Sequence, residues 1–339
     1  RKPSTMSPRG ALLIALVVVL ATIATGQPKI GFVFSGGGSR IAEEVAVMEA
    51  LLTGRYPEGT PMRPTFASGT SAGSICTVAL SAVVQTMDGR SSSPFTMEDL
   101  KDLVFNMTAG SVVDLTDSGI FKILTYNVGQ GYLLDTTPLR ATITRYLTKM
   151  GYKFMRDLYI PTCISVVDVE TGLPIRICSD NPSTENLQIV DVLMASAAMP
   201  VIFPEQTIPG FLPPFGKGIY VDGGVGIDMI PTDTAYLRAL DAVYIITRQW
   251  ELNSASTLPT PLQRFKIVQN AANTFNNLLQ AAFFSGLSTA SAARTPSFAY
   301  IPDLPVDFGV LDFDKGKQMY EMTKNWTLYN APQCLNCHL

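Results

Sequence analysis

The chain has 339 residues, is 47 % hydrophobic and 16 % charged, and carries 25 Lys and Arg against 28 Asp and Glu. That apolar fraction builds a core and excludes a disordered chain, and a mildly acidic balance without a Lys/Arg block excludes nucleic acid as the main partner. One histidine, His338, speaks against a His-rich metal site and a Ser-His-Asp triad, and five cysteines are too few for a disulfide-built fold; no metal or cofactor is expected.

Residues 11–23 are uncharged and apolar, preceded by Arg1, Lys2 and Arg9 and followed by Ala24, Thr25 and Gly26. Basic flank, short apolar run and small-residue exit predict a secretory signal peptide over residues 1–26, cleaved after Gly26. About 13 residues fall short of the ~20 that span a bilayer; a buried hydrophobic strand or an uncleaved N-terminal anchor is the alternative. The sequons Asn106-Met107-Thr108 and Asn325-Trp326-Thr327 fit the same secretory route.

Residues 27–339 read as one α/β domain with a mainly parallel sheet. Residues 29–35 form a β-rich run that stops at Gly36-Gly37-Gly38, and Ile41, Val45, Met48 and Leu51 or Leu52 then recur at helical spacing. Pro57, Gly59, Pro61 and Pro64 mark a loop before a second short strand at 65–68 and a second helix over 72–84. Strand, glycine turn and helix, repeated, is the pattern of a parallel sheet covered by helices. Residues 160–169 and 173–178 predict strands around the turn Glu170-Thr171-Gly172, residues 241–247 a buried strand, and residues 259–284 a long helix that packs on the core or acts as a lid. A hairpin at 170–171 sets Cys163 opposite Cys178, a disulfide in an oxidising compartment, which a one-residue shift of register would forbid. Cys334-Leu335-Asn336-Cys337-His338 matches the haem-attachment pattern, but with no chain after it to form a pocket it reads as a free or disulfide-linked tail.

The chemistry concentrates at three places. Gly69-Thr70-Ser71-Ala72-Gly73 is a G-x-S-x-G between a strand and a helix, where a serine sits on a sharp turn with its hydroxyl presented and a helix N-terminus beside it. Ser35-Gly36-Gly37-Gly38-Ser39-Arg40 lacks the G-K-[S/T] of a phosphate-binding loop and has Ile41 where a dinucleotide fingerprint needs Gly; its open backbone amides suit the oxyanion of acyl transfer. Tyr220-Val221-Asp222-Gly223-Gly224 brings an aspartate on a glycine turn. A serine needs a base for its proton, and without an internal histidine a carboxylate with a raised pKa must serve; Asp222 is the candidate. Each motif also has a plain structural reading as a tight turn.

In order along residues 29–250 these motifs resemble the patatin-like phospholipases. Ser35 to Arg40 is similar to that family's oxyanion motif, Gly69 to Gly73 to its nucleophile elbow, Ala195-Ser196-Ala197-Ala198-Met199-Pro200 and Phe203-Pro204 to the segment before its aspartate, and Asp222-Gly223-Gly224, followed by Pro231, to the aspartate motif. The resemblance implies a three-layer α/β/α fold and a metal-independent lipid acyl hydrolase with a Ser–Asp dyad: Ser71 as nucleophile, Asp222 as base, and the amides of Gly36, Gly37 and Gly38 as oxyanion hole. Its partner would be a lipid substrate at a membrane or micelle surface. Ile41 stands where the family usually has a glycine, and the following Ile-Ala-Glu-Glu-Val-Ala is unusually acidic; both departures bear on substrate preference. Within the proline-stiffened apolar run 208–216, Phe211, Leu212 and Phe215 are expected to meet lipid or to line the acyl pocket, unless the loop packs on its own core. A lipid-binding or storage protein that has lost turnover, and a triad drawing on His338, are the alternatives.

Overall fold

A computed structural model describes residues 27–57, 59–114, 127–213, 216–248, 266–306, 308–309 and 312–337. The segment read as a signal peptide, Phe215, His338 and residues 259–265 lie outside them. Nine strands form one sheet: β1 (Ile30–Phe34), β2 (Pro64–Thr70), β3 (Thr162–Asp168), β4 (Pro174–Cys178), β5 (Gln206–Thr207), β6 (Ile219–Asp222), β7 (Ala242–Ile246), β8 (Ser297–Tyr300) and β9 (Gln333–Cys334). The order is β5-β6-β3-β2-β1-β7-β8-β9, with β4 also on β3. The centre, β3-β2-β1-β7-β8, is parallel throughout, and the antiparallel pairs lie at its flanks.

Helices cover both faces of this sheet, which is the three-layer α/β/α arrangement. Alternate side chains of a strand point to opposite faces, and β2 shows where each face goes. On one face Gly69 lies against Gly73 and Thr77 of helix α2 (Ala72–Met87). On the other the hydroxyls of Ser68 and Thr70 donate to the carbonyls of Pro231 (2.9 Å) and Asp228 (2.6 Å), beside the short helix at Asp233–Tyr236. Both faces of β2 are therefore buried although its sequence is half polar, because each hydroxyl finds a backbone acceptor.

Helix α1 (Ile41–Thr53) flanks α2 and stops at Gly54, whose φ of 72° provides the left-handed C-cap. Next come α3 (Met97–Phe105), closed at its start by a Thr96–Asp99 capping box, α4 (Ala109–Val112), and α5 (Thr137–Met150), with Pro138 in its first turn and Gly151 as left-handed cap. Then follow α6 (Ile189–Ser196), α7 (Asp233–Tyr236), α8 (Lys266–Ala292) and α9 (Gly316–Thr327). The hydrophobic core is continuous from Ile30 to Tyr320. Among the described residues no helix is long and apolar enough to cross a membrane.

The elements expected from periodicity are present with their ends shifted by a few residues, and α8 is displaced most, running to Ala292 instead of ending at Phe284. The β3–β4 hairpin has the register that faces Cys163 with Cys178, and the two are joined in a disulfide. Cys334 and Cys337 are also joined to each other, so the tail is disulfide-linked and offers no free thiol pair for haem.

Candidate active site

Strand β3 explains why two residues far apart in sequence meet. A strand has two edges. One edge of β3 takes β4 over Cys163 to Val167. The other is shared end to end: β2 occupies it up to the pair Thr70–Ser165, and β6, arriving antiparallel, occupies it from the pair Asp222–Val166. The residue after Thr70 is Ser71, and the terminal residue of β6 is Asp222. Neighbouring positions of one strand thus hold the serine and the aspartate face to face.

Ser71 is 7 % exposed and has φ 55° and ψ −126°, an uncommon conformation for a residue with a side chain. It is held by a chain of bonds: its N–H donates to Ser196 Oγ (2.9 Å), whose hydroxyl donates to the carbonyl of Ser165 (2.7 Å), and its own carbonyl accepts from Ser74 N (3.0 Å). The turn also needs its two glycines. A methyl built on Gly69 would stand 2.4 Å from the carbonyl oxygen of Gly73, and one on Gly73 would stand 2.4 Å from that of Ser35. Any larger residue at either place would push α2 off the end of the sheet.

Asp222 is 1 % exposed. Its N–H donates to the carbonyl of Ala198 (2.9 Å), and its Oδ1 accepts from Gly224 N (2.8 Å). Burial pushes its carboxyl up to about 6, against the opposing pull of hydrogen bonds from the Ser71 side chain and the Gly224 amide. The carboxylate is thereby a far better proton acceptor than an exposed aspartate.

The glycine loop runs beside Ser71: a methyl on Gly36 would lie 3.1 Å from Ser71 Cβ. Its three amides differ, however. Gly36 N–H already donates to the carbonyl of Met229 (3.0 Å), so it is spent on fixing the loop and is removed from the expected oxyanion set. The amides of Gly37 and Gly38 donate to no protein acceptor among the described residues. Arg40 turns to Glu43 in an ion pair of 2.5 Å, and Ser35 Oγ donates to Glu44 Oε1 (3.0 Å) while accepting from Thr247 Oγ1 (2.9 Å). The acidic pair after the loop is thus buried and bonded: Glu43 holds Arg40, and Glu44, raised well above the usual carboxylate range by burial, holds the residue on which the loop begins. Sequence reasoning missed Ser196 and Glu44; the first lay inside the quoted Ala195 to Pro200 segment, and the second had its unusual acidity as a signal.

A cleft opens from Ser71 between Gly38, Ile41, Ile75, Leu139, Met199 and Phe203, lined otherwise by similarly apolar groups. Among the described residues of the loop expected to contact lipid, none lines this cleft, and Phe215 lies outside the described residues. Phe211 stacks on the buried Tyr220 ring (centroids 5.9 Å apart) and so packs on the core, while Leu212 is 76 % exposed. The turn-only reading of the motifs accounts for the glycines but not for a buried aspartate facing a serine at the mouth of an apolar cleft. Cys334, from which the tail departs, pairs with Phe298 at the outer edge, four strands from β2 or about 19 Å across the sheet.

The model of the patatin-like phospholipase family matches residues 32–236, more than half of the chain and the whole span from glycine loop to aspartate turn. Among solved structures the chain is similar to VipD from Legionella pneumophila, at 12 % identity over 89 % of this chain and 67 % of that one, with a TM-score of 0.34. It is also similar to the type III effector protein ExoU (14 %, 79 % of this chain and 57 % of that one, TM-score 0.32) and to the ExoU–SpcU complex from Pseudomonas aeruginosa (14 %, 88 % and 59 %, 0.28). The chain spans little more than half the length of those two ExoU chains. No curated protein matches it. On the match across residues 32–236, this chain belongs to the patatin-like phospholipase family.

Proposed function

We propose that the protein is a lipid acyl hydrolase that cleaves carboxylic esters of glycerolipids or glycerophospholipids through a Ser71 acyl-enzyme. The observation that carries the reading is the buried Asp222 carboxyl, lifted to about 6, facing the Ser71 hydroxyl at the head of an apolar cleft. Ser71 Oγ attacks the ester carbonyl carbon while its proton passes to Asp222. The carbonyl oxygen takes the negative charge and is met by the Gly37 and Gly38 amides and the N-terminus of α2. As the intermediate collapses, the C–O bond to the alcohol breaks and protonated Asp222 returns the proton to the leaving oxygen. Water then attacks the acyl-enzyme, Asp222 takes its proton, and the same proton restores the Ser71 hydroxyl as the fatty acid leaves.

The apolar cleft and the exposed Leu212 suit a substrate presented at a membrane or micelle surface. The Cys163–Cys178 disulfide supports a secretory route, since such bonds persist in oxidising compartments. The test is fluorophosphonate labelling together with fatty-acid release from a panel of phospholipids, lysophospholipids and triacylglycerols. Wild type should label and release fatty acid, and Ser71→Ala should lose label and at least about a thousand-fold in turnover. Retention of most esterase activity by Ser71→Ala would sink the proposal, and a protein that binds lipid without labelling would instead be the storage form.

A further inference from the structure

Helix α2 starts at Ser71 and runs away from the sheet end, so positions 71, 75 and 78 follow one stripe of it. Ile75 lines the cleft that begins at Ser71. Ile75 also lines a second space, together with Val78 of α2, Ile143, Leu147 and Met150 of α5, and Leu193 of α6. Among the described residues Ile75 is the one common to both walls. The second cavity has no charged lining; its one polar group, the Tyr146 hydroxyl, is bonded to Asp102 Oδ2 (3.0 Å).

The linings of the two spaces follow the same order along two helices. Helix α5 borders the first with Leu139 and the second with Ile143, Leu147 and Met150, in the order in which α2 offers Ala72, Ile75 and Val78. From Leu139 to Met150 the helix rises about 16 Å. On α2 the same two spaces run from Ser71 to Val78, about 10 Å, and since an extended hydrocarbon built of ~1.5 Å C–C bonds advances about 1.3 Å per carbon, the two helices bracket a chain of roughly eight to twelve carbons. Protein interiors are close-packed, and voids lined by hydrocarbon forfeit contact energy. Two of them in sequence, leading away from one serine, are what an occupant of the same shape would fill.

We propose that the substrate is a long-chain acyl ester whose carboxyl end lies at Ser71 and whose distal methylenes pass Ile75 into the second cavity, with Ile75 setting the permitted chain length. This rests on Ser71 being the nucleophile. The occupant is one fatty acyl chain: unbranched, uncharged and of the length of both spaces together. Ile75 determines specificity and takes no part in the bond-making steps.

The experiment measures kcat/KM on p-nitrophenyl butyrate, octanoate, dodecanoate and palmitate, all dispersed in one fixed concentration of non-ionic detergent, for the full chain and for Ile75→Phe, Ile75→Val and Leu147→Phe, with a thermal melt of each. Wild type should favour the longer esters over butyrate. Ile75→Phe, which narrows the passage, should lower the palmitate-to-butyrate ratio at least about tenfold, in keeping with the worth of a methylene in an apolar pocket. Ile75→Val should raise that ratio. Leu147→Phe, deep in the second cavity, should lower palmitate against octanoate while the ratio of octanoate to butyrate stays that of wild type. An equal fall on every chain length, or a profile that none of the variants moves, would overturn the proposal. Were Ile75→Phe to fail to fold, the opposite displacements expected of Ile75→Val and Leu147→Phe still decide it. Ser71→Ala separates the two levels: if it is inactive while the profiles do not respond, the passage is wrong and the nucleophile stands; if it stays active, the nucleophile assignment itself falls.

Discussion

An exposed aspartate holds a proton too weakly to draw one from a serine hydroxyl, and the surroundings of Asp222 remedy this by removing water. Its lift to about 6 comes from burial, against the pull of the Ser71 and Gly224 hydrogen bonds. The base works in its ionised form, so kcat/KM on a soluble ester should rise with pH through about 6 and level off above it. A pH–rate profile of the free enzyme checks this, and a limb near the ordinary value of 3.8 would show that Asp222 is not the titrating base. Ser196 acts one step back. Its hydroxyl accepts from the strained Ser71 amide and donates to Ser165, so Ser196→Ala leaves a buried donor without a partner. Chemical denaturation should register a loss of about 1–3 kcal/mol. At this scale Ser71 and Asp222 were legible as candidates because each sits among glycines that announce a turn. It did not disclose that the Gly36 amide is spent on Met229, since that bond depends on a segment nearly two hundred positions away.

Elements were legible where the signal is local. The runs at β1, α1, β2 and α2 carry their own period and their own punctuation, and the hairpin register followed from a turn and two cysteines. The Cys163–Cys178 bond closes a sequence separation of 15, for which loop-closure entropy alone gives about 3 kcal/mol. The double variant Cys163→Ala/Cys178→Ala should lower unfolding free energy by about that amount, read from denaturant midpoints with reductant-treated wild type as the matching control. Helix α8 shows where periodicity thins: beyond Phe284 it packs through Gly286, which abuts Ile230, the partly buried Leu287 and the buried Ala290. Small residues carry no hydrophobic stripe, so this end of the helix is written in close approach and not in pattern. The helices α3 to α6 escaped for a related reason. They are identified by caps and by which helix they meet, and the second property exists only after folding.

For the molecule as a whole, the site carries a cost in stability. The folded-state carboxyl of Asp222 lies above its ordinary value of 3.8, so between about pH 4 and 6 the folded chain keeps a proton that the unfolded chain gives up. That contribution to stability is complete below about pH 4 and is lost as pH rises through 6. Asp222→Asn removes the ionisation, so its stability relative to wild type should be near zero at pH 4 and grow to on the order of 3 kcal/mol above pH 7. Denaturant titrations of both proteins across that range test it, and the comparison cancels Asp228, a second buried carboxyl lifted to about 6.

The end-to-end seating of β2 and β6 along β3 has an evolutionary corollary. Ser71 and Asp222 are registered against one common rail, so their separation does not depend on the length of the loops strung between them. Changes in the loops between them leave the pair aligned as long as β3 survives together with the contacts that Ser74, Ser196 and Ala198 make to the two residues. A lineage is therefore free to vary the loops strung between the two residues while their meeting point stays put.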